Sequence, residues 1–212
     1  MIQRFEGKRC LVAGEGAIAD AVASRLGAEG ARLARLDGDP GRLAEDATAR
    51  AAVEGAVTEL GGVDVLVTAF ATREDRPFLE IDDECWRRHV DGNLKSAFLV
   101  GREAARAMVG NGGGVIVHVG SDVGARPGPK TAAYAAAKAG VHLLATGMAL
   151  DLAPDGVRVC AVAACEDGSE APAPAEIGPD DVAAAVAFCA SDEASYVLGS
   201  TFFLSGPLPV RA

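Results

Sequence analysis

The chain has 212 residues, half of them apolar but only 5% aromatic, with a formal net charge of −10. That length buries the core of one α/β domain without a second unit, and a core poor in aromatics must be built from Ala, Val and Leu, which suits helices laid closely on a parallel sheet. The negative charge argues against nucleic acid and anionic membrane surfaces as partners. No run approaches the ~20 apolar residues of a membrane span, and residues 1–7 carry charges and no secretory signal, so a cytoplasmic protein is expected.

Strand and helix patterns alternate along the chain. A strand at residues 9–13 leads into a helix over 17–29 that ends at Gly30, and a second strand at 32–36 closes on Asp37. Residues 43–46 read as a short third strand, 50–60 as a helix and 63–68 as a fourth strand. Helices over 82–90 and 94–109 follow, then a buried strand from Val115 to Gly120 that delivers Ser121 at its end. An Ala-rich helix over 131–153, a strand at 157–163, a helix at 179–190 and a last strand at 201–204 complete the series. This alternation predicts a Rossmann-like, doubly wound parallel sheet in three α/β/α layers, one domain over 1–212, with 1–110 mainly the cofactor half and 111–212 the catalytic and substrate half. Residues 171–175, Ala-Pro-Ala-Pro-Ala, predict a stiff exposed loop. Five scattered cysteines without metal-ligand spacing read as reduced thiols, and no metal site is expected. His118 is expected to pack within the sheet, His89 and His142 lie on helices without a second ligand at metal spacing, and Trp86 is expected to anchor its helix to the core.

Four polar residues stand out. Tyr134 and Lys138 are four apart in Tyr134-Ala135-Ala136-Ala137-Lys138 and share a helix face. An ammonium beside a phenol favours the phenolate, bringing a group of ordinary pKa about 10 toward proton exchange with a substrate hydroxyl. Ser121 sits where a strand end meets an open site and can hold a carbonyl oxygen. On spacing alone, a Tyr and Lys four apart are more often surface residues, and Asn93 can be a plain helix-start residue.

The surroundings resemble the short-chain dehydrogenase/reductase family over nearly the whole chain. Residues 83–98 are similar to the family's helix pair carrying the active-site Asn, here Asn93; 113–121 to the strand ending in the catalytic Ser; and 133–141 with 149–159 continue the match. The resemblance implies Asn93, Ser121, Tyr134 and Lys138 as catalytic residues, with Asn93 in a water-mediated relay toward Lys138. It implies an NAD(P)-dependent oxidoreductase interconverting a carbonyl and a secondary alcohol on a small or acyl-type substrate. It also implies a homodimer or homotetramer joined through the Tyr134 helix, the helix before it and the segment through Phe202-Phe203.

The cofactor loop departs from the family's form. Ala13-Gly14-Glu15-Gly16-Ala17-Ile18-Ala19 is one residue short, yet Gly14, Gly16 and Ala19 fit the general Gly-x-Gly-x-x-Ala turn that brings a pyrophosphate to a helix N-terminus. Gly14, Gly16, Ile18, Asp37, Asp46 and Ala69, with Tyr134 and Lys138, form the expected dinucleotide contacts. Asp37 can accept from an adenosine ribose and repel an extra phosphate, which leans to NAD; Arg32 or Arg35 reaching the ribose would reverse the preference to NADP. Asp46 resembles an adenine-contacting Asp and reads nearly as well as a solvated loop acid. Phe70 either crowds the adenosine half or belongs to the core. Ala164-Cys165 stands for the family's Pro-Gly pair, Glu166-Asp167 follows, and the lid over 165–178 is short. These departures keep a second reading in view, a non-redox relative or partner subunit with impaired cofactor binding.

Overall fold

The computed structural model describes residues 3–164 and 177–204. Expectations resting on Cys165, Glu166-Asp167, most of the 165–178 lid and the 171–175 loop lie outside those residues. Six strands, β1 (Arg9–Ala13), β2 (Arg32–Leu36), β3 (Val65–Thr68), β4 (Gly114–Ser121), β5 (Val157–Ala164) and β6 (Thr201–Leu204), form one sheet in the order β2-β1-β3-β4-β5-β6. Every pairing is parallel. Helices α1 (Ala17–Ala28), α2 (Asp46–Leu60), α3 (Asp83–His89), α4 (Ser96–Gly110), α5 (Ala132–Leu152) and α6 (Pro179–Ala190) fill the connections.

Strand alternation sorts the core into two layers. Leu11, Leu66, Ile116 and Val159 point to the side covered by α2, α4 and α5. Cys10, Val12, Val67, Val117 and Val162 point to the side covered by α1 and α6. Both faces are dry, which is why the strands read as unbroken apolar runs.

The expected third strand at 43–46 does not form. Asp39 Oδ1 accepts from the Gly41 amide at 2.8 Å, and a single 3₁₀ turn over Arg42–Ala44 tucks Leu43 and Ala44 into the core. Helix α2 starts at once at Asp46. With only two apolar residues between a Pro-Gly turn and that helix, the segment is too short to pair, so β2 becomes the edge. Its Arg32 and Arg35 place charge along that edge, a device that discourages strand addition.

The two helices expected over 82–90 and 94–109 are one continuous run. Helices α3 and α4 are joined by a π-helical segment over Val90–Lys95 that carries Asn93. Trp86 does not anchor this run, being 44% exposed; Cys85 and His89 are fully buried and do so.

The chain passes from β1 outward to β2 and returns across the sheet to β3. That reversal opens a crevice beyond the carboxyl ends of β1 and β3, the place where doubly wound sheets bind ligands.

Candidate active site

Three elements bring the four polar residues to the carboxyl edge of the sheet. Strand β4 ends in Ser121, helix α5 carries Tyr134 and Lys138, and the π segment carries Asn93; all four are at most 1% exposed. Lys138 reaches across α5 to donate to the Phe70 carbonyl at 2.7 Å and the Val119 carbonyl at 3.3 Å. The ammonium is thereby fixed between the ends of β3 and β4, with Nζ 5.5 Å from the centre of the Tyr134 ring. Ser121 Oγ accepts from the Val123 amide at 3.3 Å, which aims the hydroxyl at the turn opening α5.

Asn93 is used differently from a side chain that faces a reacting group. Its Oδ1 accepts from the Thr72 amide at 3.0 Å, and its Nδ2 donates to the Thr72 and His89 carbonyls, both at 2.8 Å. The side chain therefore pins the loop after β3 to the π segment. His89 does the same one turn earlier. Its Nδ1 lies 2.8 Å from the Cys85 carbonyl, which can only accept, so Nδ1 carries the proton and Nε2 accepts from the Glu74 amide at 3.0 Å. His89, read in the sequence as an ordinary helix residue, is thus part of the frame around Tyr134, whose ring it meets edge-on at 6.3 Å.

The residue that sequence reading missed is Arg73. Its guanidinium carbon lies 5.4 Å from the centre of the Tyr134 ring, and Nε and Nη2 donate to the two carboxylate oxygens of Asp75 at 2.9 and 3.0 Å. Nothing in its local sequence marks it, because its position depends on the loop being tied down by Asn93 and His89.

The crevice beyond β1 and β3 holds about 440 Å³ and is lined by Glu15, Asp39, Ala69, Ala71, Thr72 and Arg73 among others. Gly14, next to Glu15 of this lining, has φ +132°, and a Cβ there would stand 2.3 Å from the Ala69 carbonyl oxygen. Gly16, at φ +90°, caps α1 without a side-chain bond, and a Cβ there would project into open space. Helix amides facing open space beside a close-packed glycine suit a pyrophosphate, so the residues present fit a dinucleotide. Phe70 is 3% exposed and belongs to the core rather than the crevice.

Asp37 is 59% exposed and engages Arg35 through Oδ1 alone, at 2.8 Å from Nε and 2.6 Å from Nη2. Arg35 also donates to Asp20 at 2.9 Å and to the Gly14 carbonyl at 3.2 Å, tying β2 to the glycine turn. Asp46 is employed elsewhere. It pairs with Arg102 of α4 and with Arg50 on its own helix, where those cations hold its carboxyl below its ordinary value, Arg102 foremost. A cavity of about 400 Å³ at the opposite edge of the sheet, lined by residues such as Arg4, Asp64, Gly113 and Arg158, contains none of the four polar residues.

Fold and site together define a dinucleotide-dependent oxidoreductase of the doubly wound class. The family model described as short chain dehydrogenase matches residues 6–167. The chain is 36% identical to cis-4-hydroxycyclohexanecarboxylate dehydrogenase of Sinomonas cyclohexanicum, over 76% of this chain and 72% of that protein. It is 31% identical to the 3-oxoacyl-(acyl-carrier-protein) reductase of Salmonella typhimurium, over 95% and 97%. Among solved structures, a short-chain dehydrogenase/reductase from Burkholderia xenovorans superposes with a TM-score of 0.91 at 27% identity, covering 99% of each chain. The 3-ketoacyl-(acyl-carrier-protein) reductase of Brucella melitensis, complexed with NADH, gives 0.87 at 27% identity, covering 95% and 98%. The chain belongs to the short-chain dehydrogenase/reductase family and is an NAD(P)-dependent oxidoreductase acting between carbonyl and alcohol.

Proposed function

We propose that Ser121, Tyr134 and Lys138 carry the chemistry and that Asn93 is a positioning residue. The observation that carries this reading is Lys138, buried and held by the Phe70 and Val119 carbonyls beside the Tyr134 ring. A buried ammonium beside a phenol favours the phenolate. Ser121 holds the substrate oxygen, and Tyr134 gives a proton to the forming alkoxide or takes one from the alcohol. Lys138 is also the group positioned to hold the ribose next to the reacting ring. The dinucleotide, when bound, supplies or accepts the hydride. Asn93 keeps the loop after β3 in place, and with it the carbonyl that anchors Lys138.

We assign Gly14, Gly16, Ile18, Asp37 and Ala69 to the dinucleotide and leave Asp46 to its ion pairs on α2 and α4. Asp37 Oδ2 remains for a ribose hydroxyl while Oδ1 serves Arg35, which favours NAD; the adjacent guanidinium makes NADP the second cofactor. The substrate is a small or acyl-type carbonyl or secondary alcohol, in keeping with relatives named for a hydroxycyclohexanecarboxylate and for a 3-oxoacyl-(acyl-carrier-protein). The four described cysteines are buried free thiols, as in a reducing cytoplasm. Phe98 and Val109 of α4, Leu143 and Leu150 of α5, and Phe202 and Phe203 of β6 are apolar and exposed, which supports a homodimer or homotetramer. Calorimetric titration with NAD, NADH, NADP and NADPH tests the reading. Saturable binding, tighter for NADH than for NADPH, is expected; no binding of any of the four at millimolar concentration would return the chain to a non-redox role.

A further inference from the structure

We propose that Thr68 and His118 are positioning residues for Lys138, a side-chain clamp at the point where β3 and β4 part that sets the spacing of the two carbonyls holding the ammonium. The proposal rests on the reading of Lys138 as part of the chemistry. Thr68 is the last residue of β3 and stands opposite His118 in the β3–β4 ladder. Beyond that pair the two chains diverge. The Ala69 amide turns to the Ala13 carbonyl of β1 at 2.7 Å, while β4 runs on to Ser121 beside β5. Lys138 Nζ spans the fork, donating to the Phe70 carbonyl on one branch at 2.7 Å and to the Val119 carbonyl on the other at 3.3 Å. At the apex of the fork the Thr68 hydroxyl and His118 Nδ1 lie 2.7 Å apart, both residues at most 2% exposed. The bond to Val119 is already long, so a widening of the fork by ~0.3 Å takes it out of hydrogen-bond range.

The packing gives the clamp its seat. A Cβ on Gly101 of α4 would stand 3.4 Å from His118 Cε1 and 3.0 Å from Met148 Cε. A glycine in a helix interior weakens the helix, and here it leaves the space that the edge of the imidazole takes up. His118 Nε2 has no hydrogen-bond partner among the described residues, so the bond through Nδ1 is the one polar tie of this side chain. Burial pushes the His118 pKa down to about 4. At neutral pH the ring is therefore uncharged, and the tie brings no second cation toward the ammonium.

Of the four lysines, Lys138 alone is buried. In protein carrying lysine labelled at Nζ, without dinucleotide or substrate, its ammonium protons are the ones protected from exchange with water. Thr68→Val keeps the shape of the side chain and drops the hydroxyl, and is expected to speed that exchange by roughly 2- to 10-fold, the worth of one buried hydrogen bond. Thr68→Ser keeps the hydroxyl and should restore the parent rate. Val53→Ala, in the core on α2, supplies a loss of stability away from the fork and should leave the rate as in the parent. Affinity for NADH in calorimetry should follow the same order, weakest in Thr68→Val, because Lys138 is the group placed to hold the ribose. An unchanged rate in folded Thr68→Val, an equal rise in Val53→Ala, or Thr68→Ser exchanging as fast as Thr68→Val would overturn the proposal. Should Thr68→Val fail to fold, His118→Phe decides, since it keeps a ring beside Gly101 and drops the bond: an unchanged rate rejects the clamp. A parent protein that binds no NADH would count against the redox reading, while the exchange rates judge the clamp without any cofactor.

Discussion

Gly14 and Tyr134 show how single residues set the limits of this site. A methyl at Gly14 would meet the Ala69 carbonyl oxygen at 2.3 Å, and its φ of +132° disfavours any other residue. Gly14→Ala should therefore force β1 and β3 apart at the crevice, costing about 2–3 kcal/mol of stability and abolishing dinucleotide binding in calorimetry. Tyr134→Phe keeps the ring among Arg73, His89 and Lys138 and removes only the hydroxyl. Turnover should fall by at least ~10²-fold with dinucleotide affinity little changed, and equal loss of both would show that the hydroxyl serves binding rather than chemistry. The side chains of the tetrad were legible in the sequence because a helix fixes the Tyr134 and Lys138 spacing and a strand end fixes Ser121. Their partners were not. Lys138 is anchored by the carbonyl of Phe70, and a carbonyl has no signature in a sequence; Phe70 itself was flagged for its ring, which turned out to be core.

At the scale of elements, two buried polar devices tie the sheet to its surroundings, and both respond to acid. His118 on β4 is fully buried, its Nδ1 2.7 Å from the Thr68 hydroxyl on β3, and burial pushes its pKa down to about 4. The unfolded chain then takes up the proton first, so stability is lost as pH falls from about 6.5 toward 4. His142, lowered by burial and by Lys138, adds to the same slope. Glu29, at the end of α1, is held by Arg4 at 2.6 Å and Arg25 at 2.5 Å, and these cations, Arg4 first, lower its carboxyl to about 2. Its contribution is present above the ordinary carboxylate range and is lost as pH falls through 4.5 toward 2. Urea unfolding followed against pH should thus weaken in two stages. The double variant Thr68→Val, His118→Leu should flatten the first stage and leave the second. Glu29→Gln should remove the second and cost on the order of 2–3 kcal/mol at neutral pH. An unchanged slope between pH 6.5 and 4 in the double variant would show that His118 is not its source. Periodicity located β4 and α1 closely, yet it gave no hint that residues 43–46 lack a strand, since a buried Leu-Ala pair suits a 3₁₀ turn as well as a short strand.

At the scale of the whole molecule, α4, α5 and β6 each expose apolar side chains, as do Phe78, Leu79, Trp86, Tyr196 and Leu198 elsewhere among the described residues. Between α4 and α5 lies a cleft of about 390 Å³ bounded by Phe98, Val109, Met148 and Leu152, with Arg102 and Asp151 on its rim. The positive and negative rim residues allow two copies to meet face to face across a two-fold axis. Light scattering should give the mass of a dimer or tetramer, and Leu150→Glu should lower it without unfolding the chain; a monomeric parent would remove the basis for this assembly.

The sequence by itself determined the parallel sheet, nearly every helix, and the identity of the four residues at its carboxyl edge. Those follow from short-range causes: apolar runs long enough to be buried on both faces, an Ala-rich helix free of Pro, and a fixed side-chain spacing on it. Only the tertiary structure decided what surrounds them. The return from β2 to β3 opened the crevice, Asn93 and His89 drew the loop after β3 toward α5, and Arg73 thereby came to lie over the Tyr134 ring. Asp46 went instead to Arg102 of α4. These are contacts between segments far apart in the chain, chosen by packing and charge pairing after the elements have met, and no local pattern encodes them.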